Sequence, residues 1–162
     1  MFDLIKRPST LLILFLSTVA MTFAFQWIAG QWGLVFLDSI SSPEQAKELV
    51  NGYSAEQIQV HIWTTAVLDV LYPLAYGSFF AGIAMASFRH FGFFLALPSF
   101  LVIPVDITEG LIQIYGLTGN LDLLDWKAIL TPLKFGLFFF GFAVAVIAGL
   151  RWLFFQVKSR LA

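Results

Sequence analysis

Four ionisable residues lie inside apolar stretches that are long enough to cross a membrane: Asp69, Asp106, Glu109 and Lys134. A charge at mid-bilayer costs roughly 2.5 to 3.5 kcal/mol on insertion scales, so each of these residues needs a partner or a function. Asp106 and Glu109 are three residues apart, which places them one helical turn apart on the same face. Two carboxyl groups at this spacing titrate as a coupled pair. They are typical of a proton donor and acceptor, or of a cation ligand.

The charges of this cluster do not balance. Three acids face one lysine, which leaves a formal excess of two negative charges. Protons or a bound cation must offset that excess in a water-poor site. A structural network of ion pairs is the alternative interpretation, although such a network would not need three acids for one lysine.

Other polar residues share helix faces with the four charges. The remaining candidate ligand-binding residues are His61, Thr65, Tyr72 and Tyr76 in the segment of Asp69, Gln113 in that of Asp106 and Glu109, and Thr131 in that of Lys134. At ~1.5 Å of rise per residue, the charges lie about 9 to 13 Å inside the outer ends of their helices. His61 is expected at the membrane interface, where it is either solvated or serves as a second acid or base. Tyr72 and Tyr76 either donate hydrogen bonds into the pocket or pack against neighbouring helices.

A proline lies within four residues of a charge in three segments: Pro73, Pro104 and Pro132. Each proline lacks an amide donor and therefore frees the carbonyl group four residues earlier. Freed carbonyl groups at membrane depth are tolerated where they are buried in protein or line a wet cavity. The prolines and charges together predict a polar pocket in the outer half of the membrane.

Composition places these residues in an all-α membrane protein. The 162 residues are 59% hydrophobic and only 12% charged. Four apolar stretches reach the ~20 residues that a bilayer requires. We predict one four-helix transmembrane bundle over residues 1–162, with helices at about 10–28, 62–88, 91–115 and 128–155.

The distribution of Lys and Arg predicts the orientation. Six of these residues lie at the termini or in the loop between the second and third helices: Lys6, Arg7, Arg89, Arg151, Lys158 and Arg160. Only Lys47 and Lys127 lie on the other side. The positive-inside rule therefore places both termini in the cytoplasm, and a bacterial inner membrane is the expected location.

The longer outer loop, residues 31–59, is acidic and is expected to form short amphipathic helices. Ser42 reads as an N-cap before Pro43, with Gln45 as its capping-box partner. Ser54 and Gln57 repeat this pattern, which predicts that the second helix begins outside the membrane.

Residues 73–82 and 132–141 match at six of ten positions. Both segments run from outside to inside in the predicted topology. The match indicates either a parallel repeat of two helical hairpins or a chance similarity between Phe-, Leu- and Gly-rich sequences.

Several chemistries are excluded by composition. The chain has no cysteine, which removes thiol nucleophiles and thiolate metal sites, and its two histidines cannot form a histidine-rich centre. A net charge of −1 provides no basic stripe for nucleic acid. No metal or cofactor is predicted.

The leading hypothesis is a pocket that binds a small lipophilic ligand carrying one polar or cationic group. Asp106 and Glu109 are then the candidate acid and base, and whether the protein is an enzyme stays open. A small proton- or cation-coupled translocator and an accessory subunit of a larger membrane complex are the alternatives. Membrane lipid and further copies of the chain are the other expected partners.

Overall fold

The computed structural model describes the backbone of residues 2–88 and 90–161 and the side chains of residues 3–88 and 90–151. The described chain is helical and contains no strand. In order, the helices are α1 (Phe2–Ile5), α2 (Pro8–Trp32), α3 (Pro43–Gly52), α4 (Ala55–Ser87), α5 (Gly92–Leu117) and α6 (Lys127–Leu161). Short 3-10 segments at Leu37–Ser39 and Leu121–Trp126 interrupt the two longer connections. Four of the helices, α2, α4, α5 and α6, are long and apolar enough to cross a membrane.

The four predicted spans are confirmed, and their ends follow local capping chemistry. Helix α4 begins at Ala55, seven residues before the predicted apolar stretch, because Ser54 and Gln57 form the reciprocal capping box. The hydroxyl group of Ser42 accepts a hydrogen bond from the amide of Gln45 and caps α3. Both helix starts were therefore readable from the sequence.

Helix α4 is the central helix of the bundle. It packs against α5, α6 and α2, and α5 also packs against α6. Helix α2 packs against α4 and makes at most isolated contacts with α5 and α6. No residue of α2 is buried. The buried core is thus formed by α4, α5 and α6, with α2 on one side of α4.

The long connection between α2 and α4 folds back onto one end of the bundle. Leu37, Ala46 and Val50 from this connection are buried in a cluster with Leu117 and Leu124. These contacts close that end of the bundle, which we call the α3 end. The connection is therefore part of the folded core, and its polar residues are held in fixed positions.

Gly77 and Gly141 allow two helices to approach closely at Ser99. A Cβ atom on Gly77 would lie 2.8 Å from the carbonyl oxygen of Ser99, so α4 and α5 meet at this glycine. A Cβ atom on Gly141 would lie 2.6 Å from the hydroxyl oxygen of Ser99, so α6 approaches at the same residue. By contrast, nothing lies within 4 Å of the corresponding position at Gly136.

Gly77 and Gly136 occupy matching positions in the two similar ten-residue segments and provide a paired stability test. We expect Gly77→Ala to lower the free energy of unfolding by ~1–3 kcal/mol, because the added methyl group overlaps a rigid backbone oxygen. Gly136→Ala should leave stability unchanged or raise it by up to ~1 kcal/mol, since alanine is the better helix former. Denaturation in detergent, followed by circular dichroism, measures both. Equal responses of the two variants would contradict the described helix contacts.

Candidate functional site

Lys134 lies at the centre of the polar cluster. Its Nζ atom is 2.5 Å from Asp38 Oδ1, 2.6 Å from Glu109 Oε2 and 3.3 Å from Asp106 Oδ1. The side chain is nearly buried. One ammonium group on α6 thus joins two carboxylates of α5 and one of the connection between α2 and α4.

A second buried lysine supports the cluster from behind. The Nζ atom of Lys127 is 2.5 Å from Glu109 Oε1, and both side chains are inaccessible to solvent. The hydroxyl group of Thr131 donates a hydrogen bond to the same oxygen. Lys127, Thr131 and Lys134 share one face of α6, because they are spaced at about one turn each. Glu109 is therefore fully engaged by α6.

Asp38 is a member of the site that sequence reasoning missed. It lies in the 3-10 segment Leu37–Ser39, and its Oδ1 atom also accepts a hydrogen bond of 3.2 Å from the side-chain amide of Gln113. The neighbouring Leu37 is completely buried and anchors the segment. Asp38 was one of several loop acids in the sequence, and only the apolar residues just before it hinted that this part of the loop is buried.

The lysine determines the charge state of Asp38. Burial alone would raise the pKa of this carboxyl group. The charge of Lys134 and its hydrogen bond outweigh burial and lower the pKa from 3.8 to about 2. A hydrogen bond with the carboxyl group of Asp69 acts in the same direction. Asp38 is accordingly ionised at neutral pH.

Asp106 is held on its other side by a tyrosine. The hydroxyl group of Tyr76 donates a hydrogen bond of 2.7 Å to Asp106 Oδ2, and both residues are buried. The ring of Tyr76 also contacts that of Phe138, with 5.0 Å between the centroids. Tyr76 therefore orients the carboxyl group and contributes to the surrounding aromatic surface.

A cavity of about 280 Å³ opens beside these charges. Its lining residues are Phe25, Phe36, Asp38, Ser39, Asp69, Tyr72, Tyr76, Asp106, Lys134, Phe135 and Phe138. The polar residues lie on one side and aromatic rings form most of the rest. Neighbouring rings contact one another in an unbroken series that runs from Phe36 through Phe25, Tyr72 and Tyr76 to Phe138.

Asp69 is the carboxyl group in this cavity that has no lysine partner within salt-bridge distance among the described residues. Its side chain is buried, and its Oδ2 atom receives no hydrogen bond from a described donor. Asp69 also lines a second cavity of about 130 Å³ between α4 and α5. Thr65 lies in that second cavity and not in the aromatic one.

The remaining predicted residues take other positions. His61 is completely buried and does not line either cavity, which corrects the expectation of a solvated interfacial residue. Its Nε2 atom accepts a hydrogen bond of 3.5 Å from the amide of Leu37, and its ring contacts those of Phe36 and Tyr53. The connection folds over His61 and excludes solvent from it. His61 thus supports the segment that carries Asp38.

Of the predicted site residues, five line the aromatic cavity: Asp69, Tyr72, Tyr76, Asp106 and Lys134. Glu109, Thr131 and Gln113 lie behind them in the hydrogen-bond network and not on the cavity wall. The carboxyl groups on the cavity wall are therefore those of Asp38, Asp69 and Asp106. Glu109 does not line the cavity, but it contacts Lys134, which does.

Oxygen atoms of Asp38, Asp106 and Glu109 lie within 4.8 Å of one another, a spacing that suits a metal ion. The Nζ atom of Lys134 contacts all three carboxylates. In this arrangement the ammonium group is the cation on which the three acids converge.

Comparison of the chain with protein-family models, curated proteins and solved structures finds no match. The geometry of the site is therefore the guide to its function. That geometry combines an aromatic cavity, an acidic wall and two buried lysines.

Replacement of Lys134 should destabilise the folded protein far more than replacement of an exposed lysine. We expect Lys134→Met to lower the free energy of unfolding by ~3–5 kcal/mol, because it leaves buried carboxylates without their shared partner. Lys47→Met is the matched control, since the pair of Lys47 with Asp125 is partly exposed and such pairs contribute ~0–1 kcal/mol. Denaturation of both variants in the same detergent measures the difference. A Lys134→Met variant as stable as Lys47→Met would contradict the central role of Lys134.

The lowered pKa of Asp38 predicts a pH dependence of stability. A carboxyl group whose pKa is lower in the folded state contributes stability above its unfolded pKa and loses it as pH falls. The difference in the free energy of unfolding between wild type and Asp38→Asn should therefore be constant near neutral pH. It should shrink as pH falls from about 3.8 toward about 2. Denaturation curves of both proteins across this pH range measure the difference in stability. A difference that has already disappeared at pH 5 would contradict the ion pair.

Proposed function

We propose that this protein is a polytopic membrane protein whose cavity binds a small lipophilic cation, such as an amine. The observation that carries the proposal is the cavity of about 280 Å³, which has a continuous aromatic wall and the lysine-free Asp69 carboxyl group on its polar side. Apolar walls with a few convergent polar groups are typical of small-molecule sites.

The wall chemistry favours a cation over a neutral or anionic guest. The faces of Tyr and Phe rings attract ammonium groups, and sites built from several such rings recognise substituted amines. Four acids meet only two lysines in the cluster, so the site retains an excess of negative charge. Four of the groups concerned, Asp38, Asp69, Asp106 and Lys134, lie on the cavity wall.

The position of the cavity favours a guest that arrives from the membrane. Its sides come from Phe25 of α2 and from Phe135 and Phe138 of α6, and these two helices make at most isolated contacts. A gap between two transmembrane helices opens toward lipid, and a lipophilic guest enters by that route without crossing the α3 end. The cavity volume equals that of about nine water molecules at ~30 Å³ each, which limits the guest to a compact molecule.

Acid–base chemistry on the guest is an extension of this proposal. Asp69 and Asp106 lie on the wall, whereas Glu109 lies behind Lys134. Asp106 is held by Tyr76 and Lys134, so it is positioned for proton transfer at a fixed place.

The orientation that supports this function has both termini in the cytoplasm, as the Lys and Arg distribution predicts, in a bacterial inner membrane. The α3 end and the cavity then lie on the outer side. A parallel repeat of two hairpins belongs to the same proposal, although the paired glycines Gly77 and Gly136 have different surroundings.

A binding site that ends inside the bundle fits the structure better than a path that crosses the membrane. Further from the α3 end, the buried cluster of Ala81, Ala84, Ala96 and Val144 carries no polar side-chain atoms. A proton or ion path through the bundle needs polar groups along its length. A role as an accessory subunit would place the charges at a partner, whereas here lysines and acids of the same chain meet one another.

The proposal is tested with three probes of similar shape. Benzyldimethylamine and isobutylbenzene have the same number of non-hydrogen atoms, and benzyltrimethylammonium carries a permanent charge. Bound ligand stabilises the folded state in proportion to the logarithm of its concentration over Kd. We expect both cations to raise the melting temperature of the purified protein in dodecyl maltoside, and isobutylbenzene to have no such effect.

Two variants locate the binding. Asp69→Asn should weaken binding of both cations at least tenfold, since it removes the carboxyl group that has no lysine partner. Ser99→Ala is the matched control, because Ser99 is buried in α5 but lines neither cavity. Equal stabilisation by the neutral probe, or unchanged binding by a folded Asp69→Asn protein, would refute the proposed function.

A further inference from the structure

The carboxyl group of Asp69 contacts another carboxyl group instead of a lysine. The carboxyl groups of Asp69 and Asp38 both line the aromatic cavity and lie within hydrogen-bonding reach of each other, and Asp38 is paired with Lys134 at 2.5 Å. Two ionised carboxylates are both acceptors, so a hydrogen bond between them requires one proton. The proximity of the two carboxyl groups therefore favours one bound proton.

The charges of the groups around Asp69 favour a bound proton. The titratable and charged groups that face it are Asp38 from the 3-10 segment, Tyr72 and Tyr76 from α4, Asp106 from α5 and Lys134 from α6. Helix α2 contributes Phe25, which does not titrate. With Glu109 and Lys127 included, four carboxyl groups face two ammonium groups. Full ionisation would leave two uncompensated negative charges, which is unfavourable in a buried site, and one bound proton reduces that excess to one.

The partners of the pair decide where the proton lies. Asp38 is bound by Lys134 and by the side-chain amide of Gln113, and these donors favour its ionised form. Asp69 has no such donor among the described residues, and its Oδ2 atom receives no hydrogen bond. The proton therefore lies on Asp69 and is donated to Asp38.

We propose that a cation entering the aromatic cavity replaces the proton shared by Asp38 and Asp69, so that binding exchanges one cation for one proton. The exchange rests on the proposed function, because it needs a cationic guest. The O–H bond of Asp69 breaks, the proton passes to solvent, and the resulting carboxylate pairs with the ammonium group of the guest. No other bond changes, and the total charge of the site is the same before and after.

The second cavity offers a separate place for water beside Asp69. Asp69 lines both cavities, so it borders the space between α4 and α5 as well as the aromatic cavity. The hydroxyl oxygen of Thr65 in that space is also buried without a hydrogen-bond partner. A cavity of about 130 Å³ has the volume of about four water molecules, and water there would satisfy both groups.

Proton release is measured directly by titration calorimetry. Benzyltrimethylammonium is the probe, because it has no proton of its own to lose. Binding to the wild-type protein is measured at the same pH in phosphate and in Tris, two buffers with different heats of ionisation. We expect the apparent enthalpies to differ by the amount that corresponds to about one proton released per bound cation. The affinity should also rise with pH, by up to tenfold per unit.

The Asp38→Asn variant tests whether the released proton comes from the pair of Asp38 and Asp69. Without the Asp38 carboxylate there is one acid fewer around Lys134, and Asp69 loses the partner with which it shares the proton. We expect this variant to bind the probe and to release less than half as many protons as wild type. Ser99→Ala should bind and release protons as wild type does.

The outcomes separate the two proposals. Binding with equal heats in both buffers and with an affinity independent of pH would overturn the exchange and leave the proposed function standing. Full proton release by Asp38→Asn would also overturn it, since the proton would then come from another group. Absence of binding to a folded wild-type protein would refute the proposed function, and the exchange with it.

Discussion

Lys134 places one positive charge among three carboxylates that come from different parts of the chain. A charged group in the membrane interior is stable only where its partners are complete, so this contact imposes a strict condition on the fold. Helices α5 and α6 must pack with their polar faces together, and the connection between α2 and α4 must deliver Asp38. The buried apolar cluster at the α3 end holds that connection in place.

The site owes its asymmetry to the distribution of lysines. Lys127 and Lys134 are both on α6, seven residues apart and hence on one face, and they bind the acids of α5 and of the connection. Helix α4 contributes Asp69 but no lysine. One side of the cluster is therefore saturated by ion pairs, whereas the side toward α4 keeps a carboxyl group that has no lysine partner among the described residues. In the proposed function, binding and structural support are thus divided between helices.

The peripheral position of α2 explains why a cavity exists beside the charges. A fully packed bundle would fill the space between α2 and α6 with side chains. Of the other three membrane-spanning helices, α2 instead packs mainly on α4, and the rings of Phe25, Tyr72 and Phe138 border the space that remains. Thr22 on α2 exchanges a hydrogen bond of 3.1 Å with Tyr72, which fixes this wall. The cavity therefore has aromatic residues toward the gap between α2 and α6 and polar residues toward the lysine cluster.

Sequence alone determined the four spans, the start of α4 and the residues of α5 and α6 that meet in the cluster. Hydropathy, capping residues and helical spacing are local properties, so Ser54, Asp106 and Lys134 could be assigned from their neighbours along the chain. Tertiary structure decided the rest. The contact of Asp38 with Lys134 joins residues 96 positions apart, and the burial of His61 depends on a connection that folds over it. The periodicity of the sequence does not predict such contacts, because they arise only when separate elements pack and exclude water.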